Sequence, residues 1–375
     1  MGCSFGTPLS QPLNGVQSAN RNSDLPNGTT MNNQNVVLNI NNEDQVKPRE
    51  FFSFTSFISK NDNPTIFEWT FIREIGEGSK SHIYLAENIQ TGKQYAAKVY
   101  NKSHLMCHNI GSEEPPITAL QREIDIMAAI THKYSISISE IIEDELSNSL
   151  IILSPFAKQG TLQSYYKSHN LNEINIAVCF YQIAQAICYM HSLQIVHRNI
   201  TPDNILVFSN ILFRISNYSD STIISTQPDG KLKDIVGETA FLSPEECSKK
   251  PFFPKPSDVW SYGISLYLVA FDKLPFNLTF SPRQNEDLDQ CLNQMSITFA
   301  KEQLSFPDGT SDDLIDILKM ILVKDAYKRP TFEKIINHPW FNEAREVDQM
   351  NNEEEAEIEI YEEEEEEKSQ DKEKT

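Results

Sequence analysis

The stretch HRNITPDNIL, residues 197–206, is a polar segment that lies between two largely apolar parts of the chain. Before it, from about Ile174 to Leu193, apolar residues recur at intervals of three and four, which predicts an amphipathic helix. After it the pattern stays mostly helical, and the segment KPSDVWSYGISLYLVAF (255–271) is apolar enough to predict burial on all sides. The sequence therefore places 197–206 inside a large helical lobe.

The part of the chain before this lobe has a different pattern. Residues 67–100 alternate apolar and polar residues in short runs broken by glycines, which predicts three antiparallel strands. The segment ITALQREIDIMAAI (117–130) then shows helical spacing of its apolar residues. We therefore predict an α+β fold in which a small β-rich lobe with one main helix, 67–157, precedes a larger α-helical lobe, 158–341.

Composition separates a tail at each end of the chain. Residues 1–66 are rich in Asn, Ser, Gln and Thr and hold few apolar clusters, so we expect them to be disordered. Residues 343–375 contain sixteen acidic and four basic residues, a net charge of −12 out of −21 for the chain. Such a block repels itself, so 342–375 is predicted to be a disordered acidic tail. The same charge argues against nucleic-acid binding, which requires the opposite sign.

The chain carries no strong membrane signal. Its longest apolar run, Tyr262–Phe271, has about half of the roughly 20 residues that a membrane-spanning helix needs. Gly2 and Cys3 stand where lipid chains can be attached, but Gly6 replaces the Ser or Thr that myristoylation prefers. Six cysteines without paired spacing are best explained as reduced thiols. We expect a cytoplasmic protein.

Seven motifs resemble, in order and spacing, the signature set of eukaryotic protein kinases of the Ser/Thr type. They are GEGSKSHI (76–83), AAK (96–98), REI (122–124), HRNITPDNIL (197–206), SPE (243–245), DVWSYG (258–263) and RPTFEKIINHPWF (329–341). The resemblance covers about 67–341 and implies the bilobal protein-kinase fold. The segment 305–330 is most similar to the calcium/calmodulin-dependent kinase kinases. Calmodulin binding needs a basic amphipathic helix, however, and the acidic tail argues against it.

The resemblance implies an ATP site in the small lobe. Gly76 and Gly78 would let the backbone approach the phosphates, and Ile83 would cover the adenine. Lys98 would pair with the phosphates while Glu123 orients it. An ordinary β-hairpin is the alternative interpretation of the glycine-rich turn.

The segment LIILSPFAKQGTL (150–162) matches the stretch that meets the adenine in the family. Pro155 would offer its carbonyl and Ala157 its N–H, so the proline costs the site nothing. Leu206 is assigned to the same nucleotide site. Ser81 stands where the pattern has a third glycine, and we expect it to stiffen the loop and crowd a phosphate.

The catalytic positions depart from the family. One aspartate of a protein kinase accepts the proton of the substrate hydroxyl, and another binds the magnesium that bridges the phosphates. Asn199 occupies the first position and Asn217, in RISNYSDS, the second. Thr201 replaces a lysine, and Asn204 alone keeps its identity as a metal ligand.

These substitutions predict a pseudokinase. An amide has no basic oxygen to replace a general base worth about 10²–10⁴ in rate, and Mg²⁺ prefers carboxylate to amide oxygen. We therefore expect ATP binding with weak or dispensable Mg²⁺, impaired or absent Ser/Thr phosphotransfer, and a signalling or regulatory role with an unidentified protein partner or substrate.

Two alternatives stay open. The first is an active but atypical kinase that uses a surrogate carboxylate, with Asp203, Asp220 and Glu238 as candidates and Glu238 as the best of them. The second is a non-catalytic scaffold or allosteric activator that docks on a partner kinase.

The residues that stabilise a kinase fold are kept. The resemblance implies that Asp258 braces the catalytic loop and that Glu245 pairs with Arg329. A buried stack is expected from His197, Met127 and Tyr218.

The segment 217–245 offers sites for phosphorylation. We expect Arg198 to be free to hold a phosphate there, because charge-assisted bonds to arginine can order such a loop. The candidate acceptors are Ser221, Thr222, Ser225, Thr226 and Thr239.

Overall fold

The computed structural model describes residues 64–78, 81–106, 115–144, 148–227, 229–278 and 288–352. Almost all of the predicted N-terminal tail, including Gly2 and Cys3, and the acidic residues from 353 onward lie outside this part of the chain. The described residues divide into two compact units. No helix among them combines the length and the apolar character needed to cross a membrane.

The smaller unit is built on a six-stranded sheet with the strand order β1-β2-β3-β4-β6-β5. The strands are β1 Thr65–Ile66, β2 Trp69–Glu77, β3 Ser81–Asn88, β4 Gln94–Asn101, β5 Glu140–Asp144 and β6 Ser149–Pro155. A short helix, α1 (Lys102–Met106), follows β4. Strands β2 and β3 pair antiparallel, as the alternating pattern of 67–100 predicts, and Phe71 and Tyr84 make an edge contact in the core of this sheet.

The larger unit is mainly helical. Its helices are α2 Pro116–Ala129, α3 Leu162–Ser168, α4 Glu173–Ser192, α5 Pro244–Cys247, α6 Pro254–Phe271, α7 Leu288–Lys301, α8 Asp312–Ile321 and α9 Phe332–Ile336. Its strands are short: β7 Ile195–Val196, β8 Ile205–Ser209, β9 Leu212–Ile215 and β10 Thr222–Ile223. The predicted α+β architecture, with a β-sheet region before a helical region, is confirmed.

The sequence patterns explain the two central helices of this unit. Helix α4 begins where Asn172 Oδ1 accepts a hydrogen bond from Asn175 N at 2.9 Å, and its apolar stripe is buried. Helix α6 is buried on nearly every side, as predicted from its composition. A Cβ added at Gly263 would lie 2.4 Å from Ile321 Cγ2, so this glycine lets α6 and α8 approach closely.

Helix α2 groups with the larger unit, and the lobe boundaries 67–157 and 158–341 stay a prediction. The physical reason for this grouping is the apolar face of α2. Ile126, Met127 and Ile130 are buried in the same core as α4 and α6. The three residues therefore follow the packing of the large helical core and not their position in the sequence.

The residues 342–352 are helical and form α10, although the sequence analysis began the acidic tail at 342. Asp348 is 5% exposed and explains this difference. Its Oδ1 accepts hydrogen bonds from Tyr134 Oη at 2.7 Å and from Gln182 Nε2 at 2.8 Å. A buried carboxylate with these two donors holds α10 against the larger unit, so one acidic residue of the block is structural.

Candidate active site

The glycine-rich turn of the smaller unit is tightened by Ser81. Gly78 N donates to Ser81 O at 2.7 Å, and a Cβ added at Gly78 would lie 2.9 Å from Ser81 Oγ. Ser81 itself is 5% exposed. The side chain that replaces a third glycine thus points into the turn, where Gly78 alone leaves it room. A Cβ added at Gly76 would lie 3.6 Å from Ile83 Cδ1, which places those two predicted residues side by side.

The predicted lysine and glutamate lie in different units. Lys98 is on β4, and its Nζ lies 5.4 Å from the centroid of the Tyr100 ring, within range of a cation–π contact. Glu123 is on α2 in the larger unit and is 7% exposed. Each unit is described by itself, so the pairing of Lys98 with Glu123 stays a prediction.

The predicted adenine-contacting segment follows β6. Pro155 ends that strand, and Ala157 O accepts from Gly160 N at 3.1 Å. Among the described residues the Ala157 N–H donates to no backbone carbonyl. Leu206 lies close to the end of this segment, because it forms an isolated antiparallel bridge with Thr161. The backbone donor that the sequence analysis assigned to adenine is thus not used within this segment.

The side chain of Asn199 is engaged at both ends of its amide. Asn199 Nδ2 donates to Asp220 Oδ2 at 2.9 Å, and Asn199 Oδ1 accepts from Glu238 N at 3.4 Å. Asn199 is 9% exposed. The group at the predicted base position is therefore a fixed hydrogen-bond donor that faces a carboxylate.

The two predicted metal ligands are brought together, but they bond to each other. Asn217 Nδ2 donates to Asn204 Oδ1 at 3.0 Å, and Asn204 Nδ2 donates to the Asn199 carbonyl at 2.8 Å. Ser219 Oγ donates a hydrogen bond to Asn217 Oδ1 at 2.9 Å. Asn217 has φ = 63°, a left-handed conformation that asparagine tolerates well.

This donor set does not fit Mg²⁺. A hard cation prefers carboxylate oxygens, and the positions here offer amide oxygens that already accept hydrogen bonds. Within the described ranges there is also no cluster of three or more His, Cys, Asp or Glu side chains able to hold a metal ion.

The three surrogate carboxylates occupy different places around the loop. Asp220 contacts the Asn199 side chain directly. Glu238 Oε1 accepts from Thr201 Oγ1 at 3.3 Å, and burial, with a smaller contribution from the Asp203 charge, raises the pKa of Glu238. Asp203 Oδ1 accepts from Thr161 Oγ1 at 3.5 Å. The sequence analysis ranked Glu238 first, whereas Asp220 is the carboxylate in contact with the side chain at the base position.

The brace of the catalytic loop is confirmed. Asp258 Oδ2 accepts from His197 N at 2.9 Å and from His191 Nε2 at 2.8 Å, and Asp258 Oδ1 accepts from Arg198 N at 2.7 Å. Burial alone would raise the pKa of Asp258, but its hydrogen bonds and the neighbouring histidines outweigh burial and lower it. The bonds fix Arg198 in a left-handed conformation with φ = 67°.

A second charged pair lies deeper in the larger unit, as predicted. Arg329 Nη1 and Nη2 bind Glu245 Oε1 and Oε2 at 2.6 and 2.8 Å, and the Arg329 side chain has no solvent exposure. The guanidinium also lies 4.9 Å from the Trp260 ring centroid. This bidentate geometry is the strong form of such a pair.

The expected buried stack also forms. The rings of His197 and Tyr218 lie 5.7 Å apart in an edge arrangement, and Tyr218 Oη donates to Ile215 O at 3.1 Å. Met127 belongs to the same core cluster as Tyr218. The extra hydroxyl of tyrosine is thus satisfied, and burial raises its pKa.

Arg198 is not free, which corrects the sequence analysis. Its Nη2 donates to Asp234 Oδ2 and to Asp234 O, both at 2.8 Å, so an acidic residue of the segment 217–245 takes the place expected for a phosphate. Among the candidate acceptors, Ser221 is buried, with its Oγ donating to His197 O. The others keep some exposure: Thr222, Ser225, Thr226 and Thr239.

Gly237 presses this segment against the catalytic loop. It has φ = 90°, and a Cβ there would lie 2.6 Å from Arg198 O. Only glycine fits this backbone conformation and this approach. Gly237 and Asp234 were not among the predicted residues. The glycine that begins GETAF (237–241) was the available signal for a close backbone approach.

Comparisons with known proteins identify the family. A model of the protein kinase domain family matches residues 69–341. CBL-interacting protein kinase 28 of Oryza sativa subsp. japonica is 28% identical over 282 residues, which cover 75% of this chain and 60% of that protein. Serine/threonine-protein kinase GRIK1 of Arabidopsis thaliana is 26% identical over 297 residues, 79% of this chain and 72% of that protein.

A probable serine/threonine-protein kinase of Dictyostelium discoideum is 27% identical over 297 residues. That alignment covers 78% of this chain and 41% of the Dictyostelium protein. The chain thus spans less than two-thirds of the length of the rice and Dictyostelium relatives.

Proposed function

The chain belongs to the protein kinase domain family, and from that premise we propose that it is a nucleotide-binding pseudokinase whose transfer of phosphate to Ser or Thr is impaired or absent. One observation carries the proposal. Both amides at the catalytic positions donate hydrogen bonds inside the loop, Asn199 to Asp220 and Asn217 to Asn204. Neutral amides, one of them bonded to the Asp220 carboxylate, occupy the two positions where the family's chemistry needs carboxylates.

The loss of the base affects the reaction directly. A general base accepts the proton of the attacking hydroxyl and contributes about 10²–10⁴ in rate. The nitrogen of Asn199 is a donor held toward Asp220, and its oxygen accepts from Glu238 N. Neither end of this amide takes up a proton at neutral pH, so a bound hydroxyl would keep its proton.

Nucleotide binding is supported separately from catalysis. The Ala157 N–H has no backbone acceptor in the described residues and can donate to an adenine ring. Lys98 supplies a positive charge for the phosphates. Since the metal positions offer only amide oxygens, we expect ATP to bind with Mg²⁺ weak or dispensable.

A second candidate function, an atypical active kinase, is favoured by one distance. Asp220 Oδ2 lies 2.9 Å from Asn199 Nδ2, so a carboxylate reaches the loop from the segment after the lost metal ligand. In this alternative Asp220, or Glu238 beside Thr201, would accept the proton. The surrogate carboxylate would belong to a different residue but would lie close to the position that the family's aspartate occupies.

A phosphate-transfer assay separates the two functions. Highly purified protein is incubated with radiolabelled ATP and a general Ser/Thr substrate, beside Lys98→Met as the background control. We expect transfer no greater than that of the control. Transfer at an ordinary kinase rate of about 1–100 per second would refute the pseudokinase. Loss of that activity in Asp220→Asn or Glu238→Gln would then identify the surrogate carboxylate.

A non-catalytic role remains for a domain of this kind. The braced loop and the Glu245–Arg329 pair keep a kinase surface intact without chemistry. We propose that this surface acts as a cytoplasmic scaffold or allosteric activator for a protein partner. Co-purification of a kinase whose activity rises with added protein would support this role, and it requires no transfer by the chain itself.

A further inference from the structure

An exposed aromatic pair lies beside a lysine on the larger unit. Phe253 is 40% exposed and Tyr327 is 82% exposed, and their rings meet edge to face with centroids 6.2 Å apart. Lys231 Nζ lies 5.0 Å from the centroid of the Phe253 ring. We name these three residues the aromatic-lysine patch. Two large rings turned toward water, with a cation above one of them, form a surface that fits an apolar group flanked by negative charge.

The fold holds this patch outward. Leu232 and Phe252 form an antiparallel bridge and are buried with Val196 and Ile224 in a small core. Side chains alternate across paired strands, so the neighbours Lys231 and Phe253 face the opposite way, toward solvent. This bridge therefore sets the positions of Lys231 and Phe253, while Tyr327 lies on the 3-10 turn Ala326–Lys328.

Two further lysines lie close to the patch along the chain. Lys233 and Lys250 adjoin the bridge on its two strands and are exposed. Within the described part of the chain neither these two lysines nor Lys231 forms an ion pair, whereas Lys249 pairs with Asp289. The ammonium groups of these three lysines thus lack an acidic partner there, although Asp229 and Asp234 lie in the same segment and Asp229 Oδ1 accepts from Lys231 N at 3.1 Å.

The segment 353–375 of the same chain has the complementary chemistry. It contains thirteen acidic and three basic residues. Its apolar group Ile358, Ile360 and Tyr361 directly precedes the acidic run Glu362–Glu367. An aliphatic and aromatic cluster followed by six carboxylates matches two exposed rings surrounded by lysines, both in apolar contact and in charge.

The segment also starts in the right unit. Asp348 anchors α10 to the larger unit through Tyr134 and Gln182, and the segment continues from Asn352. The run Glu362–Glu367 lies ten to fifteen residues further on, a reach of about 33–50 Å when extended. A compact unit of roughly 230 residues has a radius of gyration of about 17 Å, and hence a diameter of about 45 Å.

We propose that the acidic segment 353–375 binds the aromatic-lysine patch of its own molecule. Ile358, Ile360 and Tyr361 would cover Phe253 and Tyr327, and the run Glu362–Glu367 would neutralise Lys231, Lys233 and Lys250. Because Lys231 is three residues from Asp234, which holds Arg198, binding would brace the segment that presses on the catalytic loop.

Carbodiimide cross-linking of the full chain tests this proposal, because the reagent joins a carboxylate to an amine in direct contact. At low ionic strength we expect intramolecular cross-links from Glu362–Glu367 to Lys231, Lys233 or Lys250, at least fivefold above those to Lys319. Lys319 is the matched control, since its Nζ lies 5.8 Å from the Phe306 ring without an exposed aromatic pair. Cross-linking should fall steeply in 0.5 M salt.

Three variants make the test sharper. Replacing Glu362 to Glu367 by Gln, or the exposed Tyr327→Ser together with Phe253→Ser, should reduce the links to control level, whereas Lys319→Gln should not. Equal yields on all lysines would refute the proposal. Links found only in cross-linked dimers, rising with protein concentration, would assign the patch to a second copy's tail and overturn the intramolecular form.

Discussion

Two polar networks hold the segment 197–204, and they differ in charge. On one side, the Asp258 carboxylate accepts hydrogen bonds from the backbone N–H groups of His197 and Arg198, and its lowered pKa favours the charged form. On the other side, Asn199 and Asn217 stand where charge would act on a ligand, and both are neutral. The Asp258 carboxylate holds the backbone, whereas the two positions that would handle a proton and a metal carry amides, one of them bonded to Asp220.

The proposed function implies that the scaffold and the chemistry of this loop are separable. A buried carboxylate costs free energy unless several donors surround it, and Asp258 has three. A neutral amide carries no such cost, so the Asn199 and Asn217 network satisfies its hydrogen bonds without a cation. The loop therefore keeps its shape in the absence of catalytic carboxylates.

The largest expected effect is on the charged side of the comparison. Asp258→Ala should lower the free energy of unfolding by about 3–5 kcal/mol, because it leaves the buried backbone N–H groups of His197 and Arg198 without an acceptor. Chemical denaturation followed by tryptophan fluorescence measures it. Asn199→Ala, which removes one neutral hydrogen-bonding group, should cost about 1 kcal/mol. Equal losses in the two variants would contradict the comparison.

Glu246 is a second buried carboxylate, but its pKa is raised where that of Asp258 is lowered. Ser243 N and Ser243 Oγ donate to its Oε2 at 2.8 and 2.7 Å, and burial raises its pKa to about 7. Since the folded pKa lies above the unfolded one, this group's contribution to stability is present below about pH 4.5 and is lost as the pH rises through 7.

Glu246→Gln keeps the acceptor for Ser243 and removes the titration. At pH 8 the variant should be more stable than wild type, by on the order of 2–3 kcal/mol, and near pH 4.5 the two should converge. Unfolding free energies at pH 4.5, 6, 7 and 8 measure this difference. A variant that is less stable at pH 8 would show that the Glu246 carboxylate has a favourable charge partner.

The Glu245–Arg329 pair should rank third. Glu245→Gln keeps one acceptor but removes the charge that faces the fully buried Arg329 side chain. We expect a loss of about 1.5–3 kcal/mol in unfolding free energy. Asp234→Asn is the matched control, because the Asp234 side chain is 61% exposed where it pairs with Arg198, and such pairs contribute about 0–1 kcal/mol. A control loss as large as that of Glu245→Gln would contradict the ranking.

The smallest effect concerns the metal position. Asn217→Asp should cost about 1 kcal/mol without metal, because it removes the hydrogen bond to Asn204 Oδ1. With ATP and Mg²⁺ the variant should regain this loss, whereas wild type should show the same thermal shift with ATP in magnesium or in EDTA. A magnesium-dependent shift in wild type would mean that amide oxygens suffice for the cation.

The sequence predicted the fold well because several local signals agree. The alternation in 67–100 predicts three strands, and the helical spacing before 197 and the apolar segment 255–271 predict one helix each. The structure contains all of these elements. The pairs of Glu245 with Arg329 and of Asp258 with the loop followed from motif positions alone.

The features that the sequence did not reveal depend on tertiary contacts. Helix α2 joins the larger unit through Ile126 and Met127, which no local pattern reports. In the sequence Asp348 is one of sixteen acidic residues in 343–375. Its hydrogen-bond donors, Tyr134 and Gln182, lie more than 160 residues away in the chain, so no local pattern distinguishes it. Likewise Arg198 was expected to be free, since an exposed Asp234 in a loop carries no signal of its partner.

The central claim is that the two asparagines, and not a damaged scaffold, abolish phosphate transfer. Because Asp220 faces Asn199 at 2.9 Å, Asn199→Asp alone would set two carboxylates against each other. The direct measurement is therefore phosphate transfer by wild type, Asn199→Asp with Asp220→Asn, Asn217→Asp, and all three changes combined. We predict transfer by wild type no greater than that of the Lys98→Met background, little from either partial set, and a gain of at least about 10² over that background in the combined variant. Transfer by wild type at an ordinary kinase rate, or a folded combined variant as inactive as Lys98→Met, would contradict the proposal.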